Sequence, residues 1–138
     1  MEDVLSKAVL ITREPTPIVF RRVADDHDAI RRAWKSFETD VGLKGRKFFG
    51  VFDASIDEYW VCVKLKDSDD AEALGSEIGE IPGGRYLRAR LEGEPPGVYE
   101  RIPAGFDAME ANGPRDDSRP VVEYYRSFGV IDLLLPVM

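Results

Sequence analysis

IRRAWKSF, residues 30–37, and IPAGFDAM, residues 102–109, decide how the chain is read. Ile30, Trp34 and Phe37 are spaced i, i+4, i+7. Ile102, Phe106 and Met109 repeat that spacing 72 residues later (30→102, 34→106, 37→109). Such spacing places three apolar side chains on one face of an α-helix. A helical face that recurs at a fixed interval implies a duplicated fold.

The flanks repeat too. An extended segment precedes each helix: PIVFRRV (17–23) in one half, GRYLRARL (84–91) in the other. Each helix runs to a glycine suited to a C-cap, Gly42 or Gly113. Asp25, Asp26 and Asp28 offer N-caps for the first helix and suit the positive end of its dipole. Pro103 fits the first turn of the second. Two strands then follow in close succession, RKFFGVF (46–52) with EYWVCVKL (58–65), and RPVVEYY (119–125) with VIDLLLPV (130–137). Their links, ASID and RSFG, are hairpin-sized. The expected order is β-α-β-β, twice, in one α+β domain spanning 1–138, with pseudo-repeats at about 8–66 and 78–138 and a polar, acidic linker at 67–77.

Composition narrows the function. The chain has 138 residues, enough for one domain, and 43% of them are hydrophobic, enough for a core. A net charge of −7 argues against nucleic acid as a partner. No apolar run approaches the length of a membrane span. The N-terminal stretch has no basic segment followed by a long apolar one, so a cytoplasmic location is expected. Cys62 is the sole cysteine and His27 the sole histidine, which leaves little from which to build a metal centre or a Ser-His-Asp triad. His27 reads as a solvated residue near a helix start. The DD, DSDD and PRDD clusters lack the spacing of a calcium loop. Gly83–Gly84 in IPGGRY lacks the lysine, hydroxyl and following helix of a phosphate loop, and reads as a turn. Neither metal nor cofactor is expected.

VVEYY (121–125) sets a carboxylate among residues that favour a pleated, half-buried surface. Side chains alternate along a strand, so Val121, Glu123 and Tyr125 share a face. An offset of 73 aligns Glu123 with Gly50, between Phe48 and Phe52 (50→123). If Phe48 and Phe52 face the helices, Glu123 does too, and a glycine opposite a glutamate leaves room for a pocket. The alternative is a solvent-facing edge-strand carboxylate, or one paired with a neighbour such as Arg126. In GRYLRARL, Leu87, Ala89 and Leu91 form the apolar face, while Tyr86, Arg88 and Arg90 form a solvated one. In EYWVCVKL, Glu58 and Lys64 suggest a partly wet even-numbered face with Trp60 at a rim.

At this level of detail the chain resembles the GyrI-like domain, the AraC-type effector-binding or SOUL-like ligand-binding superfamily, over roughly residues 8–137. The resemblance rests on EIPGGRYL (80–87), FFGVFDASIDEYWVCVKL (48–65) and VVEYYRSFGVIDLLLPV (121–137) in that order. It implies two β-α-β-β modules about a pseudo-twofold axis, a curved antiparallel sheet, two helices on one face, and a cleft between them. It implies that Glu123 lies at the cleft floor and neutralises cationic, planar, lipophilic compounds. Tyr125 would be next on that face, Tyr99 would open the second helix, and Trp34, Phe48 and Phe52 would wall the first half, with Trp60 at the rim. The chain has no helix-turn-helix and no basic DNA-binding half, so it resembles the stand-alone form. Stand-alone members include drug-sequestering proteins, gyrase-inhibitory proteins and hydrolases of reactive cyclopropane compounds.

Three functions follow. The leading one is binding of amphipathic cationic small molecules over Glu123, without cofactor. The second is a cofactor-free hydrolase of cyclopropane- or epoxide-like compounds, with Glu123 as base and Tyr99 or Tyr125 as donor. The third is a protein-interaction module acting through its acidic surface. Trp34, Phe48 and Phe52 serve equally as core, whereas Tyr99 and Tyr125 carry polar handles that need partners. The outer sheet face with Tyr86 offers a surface for a homodimer.

Overall fold

The computed structural model describes residues 4–111 and 115–138. These form β1 (Val4–Leu5), β2 (Val9–Arg13), β3 (Thr16–Ala24), α1 (His27–Val41), β4 (Phe48–Asp53), β5 (Glu58–Lys64), β6 (Glu77–Ile81), β7 (Gly84–Glu92), α2 (Gly97–Glu100), α3 (Ile102–Glu110), β8 (Val121–Ser127) and β9 (Val130–Pro136). The duplicated β-α-β-β order is present as β3-α1-β4-β5 and β7-α2/α3-β8-β9.

The strands make one antiparallel sheet, ordered β1-β7-β9-β8-β4-β5-β3-β6, with β2 also on β7. The modules meet where β4 pairs β8. A further strand precedes each module and crosses to the other. β2 is two residues from β3 yet pairs β7, and β6 is two residues from β7 yet pairs β3. Glu77, the last residue of the expected linker, already opens β6. Links as short as Glu14–Pro15 and Pro82–Gly83 draw the two ends of the sheet together, and it curls into a half-barrel. Gly84 takes φ +127°, a conformation that favours glycine, so IPGGRY is a turn.

Both sheet faces are therefore covered. On the convex face α1 lies over β3 and β5, burying Phe37 against Val19, Val61 and Val63. Asp26 caps α1 by accepting from Ala29 N–H at 2.9 Å, and Gly42, at φ +80°, closes its other end. α3 lies over β7 and β9, burying Phe106 and Met109 against Ala89 and Leu133. A Cβ on Gly105 would come within 2.5 Å of Leu133 Cδ1, so this glycine permits the close approach. The second helix, expected as one, is split into α2 and α3, with Pro103 in the first turn of α3. α3 ends at Glu110, and Gly113 lies outside the described residues. No described helix is long and apolar enough to cross a membrane.

The concave face holds a second core of Ile18, Phe20, Phe49, Val51, Cys62 and Tyr86, among others. Arg13, at one end of the sheet, reaches over it to lie 5.8 Å from the Phe49 ring. This corrects the reading of Tyr86 and confines the wet part of β5's even face to its ends. Tyr86 is not solvated but fully buried, and so offers no surface to a second copy. Its hydroxyl donates to Pro82 O at 2.5 Å, and the Arg119 guanidinium sits 4.8 Å over its ring. The even face of β5 is not wet at its centre, since Cys62 is fully buried and Trp60 stacks on Phe20 at 4.2 Å. Alternation shows which residues share a face. It does not show that the sheet will curl over the second face.

Tyr86→Ala is expected to cost about 3–5 kcal/mol in denaturant-induced unfolding, the usual range for a large buried aromatic. A change within about 0.5 kcal/mol, typical of surface positions, would restore the solvated reading.

Candidate functional site

Residues opposite one another in an antiparallel pair share a face. Gly50 faces Glu123, Phe48 faces Tyr125 and Phe52 faces Tyr59. Glu123 faces Leu133, which packs under α3, so this set of side chains lies on the helix side of the sheet. Glu123 is 8% exposed. Its Oε1 accepts from the Tyr59 hydroxyl at 2.7 Å and from the Tyr125 hydroxyl at 2.6 Å. Tyr59 in turn accepts from Trp34 Nε1–H at 3.3 Å. Among the described residues no donor reaches Oε2.

Gly50 makes this arrangement possible. A Cβ there would overlap the Tyr59 hydroxyl oxygen and lie 2.6 Å from Glu123 Oε1. The space opposite the glutamate, expected to be open, is filled by the Tyr59 phenol.

An aromatic wall surrounds the carboxylate. Trp34 on α1 meets Tyr125 edge-on at 5.4 Å, Phe48 at 6.1 Å and Tyr59 at 6.4 Å. Tyr99 on α2 meets Tyr125 at 6.0 Å. Phe52 is half-buried and packs with the α1-side core. The structure thus brings together Trp34, Phe48, Phe52, Tyr99, Glu123 and Tyr125. It does not bring Trp60, whose ring lies on the concave face and whose Nε1–H donates to Glu58. Arg126 pairs with Asp132, not Glu123.

Two residues of the site go unmarked by sequence pattern. Tyr59 reads only as one apolar position of a strand. The four-residue link ASID sets the register that puts it on Phe52's face, and that register is the available signal. Glu38, one helical turn beyond Trp34, is half-buried in the protein, and its charge acts on the Tyr99 phenol.

Burial pushes the Glu123 carboxyl above its ordinary range, against the opposing pull of the two phenols. The same burial, then the nearby Glu123 charge, holds the Tyr59 and Tyr125 phenols well above theirs, so both remain donors. Asp132 provides the contrast. It is 2% exposed on the concave face, but Arg90 at 2.9 Å and Arg126 at 3.2 Å neutralise it. No basic group among the described residues pairs with Glu123. Two surface cavities, of about 330 and 360 Å³, lie elsewhere, over α1 and between the β1–β2 segment and α3. Among the described residues no group of three or more His, Cys, Asp or Glu is placed to hold a metal.

No protein-family model matches the sequence, and no curated protein matches it significantly. Solved structures do match. An integron cassette protein from the mobile metagenome of Vibrio cholerae is 15% identical, with all of both chains covered and a TM-score of 0.76. SAV2435, solved bound to tetraphenylphosphonium, is 12% identical over 96% of this chain and 94% of its own, at TM-score 0.68. A hydrolase from Listeria innocua is 13% identical over 96% and 92%, at TM-score 0.55. At these identities the likeness establishes the fold.

A carboxyl whose folded pKa is raised releases its proton first in the unfolded chain. Stability is therefore lost as pH climbs from about the ordinary value of 4.5 through the folded pKa. Glu123→Gln keeps an acceptor for the phenols and removes the charge, so its melting temperature should exceed wild type at pH 7 and converge with it in acid. A lower melting temperature at pH 7 would mark Glu123 as a structural residue. Gly50→Ala should cost about 1–3 kcal/mol by forcing Tyr59 off Oε1. Chemical denaturation reads this directly, and an unchanged midpoint would contradict it.

Proposed function

We propose that this protein binds amphipathic, cationic small molecules in the cleft between its helices, with Glu123 as the anionic centre. One observation carries the reading: a buried carboxylate with aromatic rings around it and no cation among the described residues to neutralise it. An isolated buried charge is costly. Two neutral phenols offset only a fraction of that cost, and a lipophilic cation supplies the rest through charge and through the faces of Trp34, Tyr99 and Tyr125. The Asp132 pair illustrates how the same chain compensates a carboxylate that only supports the fold. Tetraphenylphosphonium, bound in the structurally similar SAV2435, belongs to the ligand class that this chemistry favours. The aromatic cluster is tightly packed, so a guest enters by displacing Trp34 and the phenols from Glu123.

A second reading draws on the phenols themselves. Glu123 with Tyr125 is a base beside an acid. Glu123 would take a proton from water as its oxygen bonds to carbon of a strained ring. Tyr125 would protonate the atom released when that ring bond breaks, and the proton on Glu123 would return to the phenolate. Tyr125 is the better placed donor, since its hydroxyl, and not that of Tyr99, bonds Glu123 Oε1. A fold neighbour described as a hydrolase keeps this reading in view.

Titration of intrinsic fluorescence separates the two, since Trp34 lies in the cluster and Trp60 on the opposite sheet face. Planar cations should bind saturably, and Glu123→Gln should weaken them at least about tenfold, the scale of a lost charge-assisted contact. Size-matched neutral analogues should change by less than about twofold. Equal binding of cations by both proteins would refute the first reading. Turnover of an epoxide or activated cyclopropane that disappears in Glu123→Gln would install the second.

A further inference from the structure

Residues four apart on a helix stand one above the other on the same face. Glu38 therefore continues the face of α1 that carries Trp34, about 6 Å further along the axis. Trp34 abuts Tyr125, Tyr125 abuts Tyr99, and the Glu38 charge acts on the Tyr99 phenol. Trp34, Glu38, Tyr99 and Tyr125 thus flank one side of the packed cluster over Glu123. We propose that Glu38 is a second anionic contact of this cleft, and that it makes the cleft prefer amphipathic dications to monocations.

The placement suits that role better than a structural one. Glu38 is half-buried, and no basic side chain among the described residues pairs with it. Burial pushes its carboxyl up. Other acidic side chains of α1, such as Asp28 and Asp40, are exposed, and Asp40 is paired with Arg21. A half-buried glutamate without a basic partner among the described residues carries a desolvation cost. It gains a partner when a cation opens the cluster and enters beside Trp34. Two carboxylates at different depths, separated by tyrosine rings, match a ligand with two positive centres joined by an apolar or aromatic spacer.

This rests on the cation-binding reading, and the test keeps the two apart. Wild type, Glu38→Gln, Glu38→Asp and Glu123→Gln are titrated calorimetrically with bis-quaternary ammonium compounds of graded spacer length. Their monocationic halves serve as comparison. Wild type should prefer one window of spacer lengths. Glu38→Gln should lose that preference, with dication affinity falling about tenfold and monocation affinity changing by less than about twofold. Glu38→Asp should retain some of the preference, shifted in spacer length. Glu123→Gln should weaken both ligand types. A Glu38→Gln effect equal on monocations and dications, or absent from both, would overturn this inference alone. Failure of wild type to bind any cation would overturn the cation-binding reading and this one with it.

Discussion

Glu123 faces Gly50, and these two residues occupy equivalent places in the two repeats (50→123). Phe48 faces Tyr125 and Phe52 faces Val121, which are also each other's equivalents (52→125, 48→121). The pseudo-twofold axis therefore passes through the Gly50–Glu123 pair. A position on such an axis meets its own copy. Two glutamates there would repel across a strand pair, and two glycines would leave the centre unpacked. Divergence into one glycine and one glutamate resolves both problems. It also allows a single anionic centre per chain, served from both modules: Tyr59 and Trp34 from the first, Tyr125 and Tyr99 from the second.

This constraint explains which features are legible in the sequence. The helices are, because Ile30, Trp34 and Phe37 recur as Ile102, Phe106 and Met109. The face of Glu123 is, because alternation ties it to Tyr125 and alignment ties it to Phe48 and Phe52. The curl is not. It depends on β2 and β6 crossing to the other module, and an edge strand such as SEIGEI carries little apolar signal of its own. With the curl hidden, Tyr86, Arg88 and Arg90 read as a wet face. In fact the arginines rim a concave core in which Tyr86 is buried. Trp60 is misread for the same reason. The room over Gly50 is legible as a missing side chain, but its occupant, Tyr59, sits two strands away from Glu123, beyond what local pattern conveys.

The two buried carboxylates show how environment assigns roles. Asp132 faces the arginine-rimmed core and is held by two guanidiniums. Replacing such a partner would strand a charge, so the pairing belongs to the fold. Among the described residues Glu123 is held by phenols alone. Hydrogen bonds from neutral donors orient a carboxylate without cancelling its charge. Among the described residues Oε1 accepts both bonds and Oε2 accepts none.

The packed state of the cluster sets the terms of any binding. Trp34 Nε1–H, the two phenols and Oε1 form one connected network, so a guest that breaks any single contact loosens the others. Binding must replace the network and not merely add to it, and the apparent affinity is reduced by the fraction of time the cleft is open. A neutral guest of the right shape recovers aromatic contact but leaves Glu123 with fewer donors than before. On the proposed reading, a cation would recover the contact and supply what the phenols could not. On that reading, selectivity for charge would arise from the closed state as much as from the bound one, because opening the cluster would expose a carboxylate that a cation satisfies.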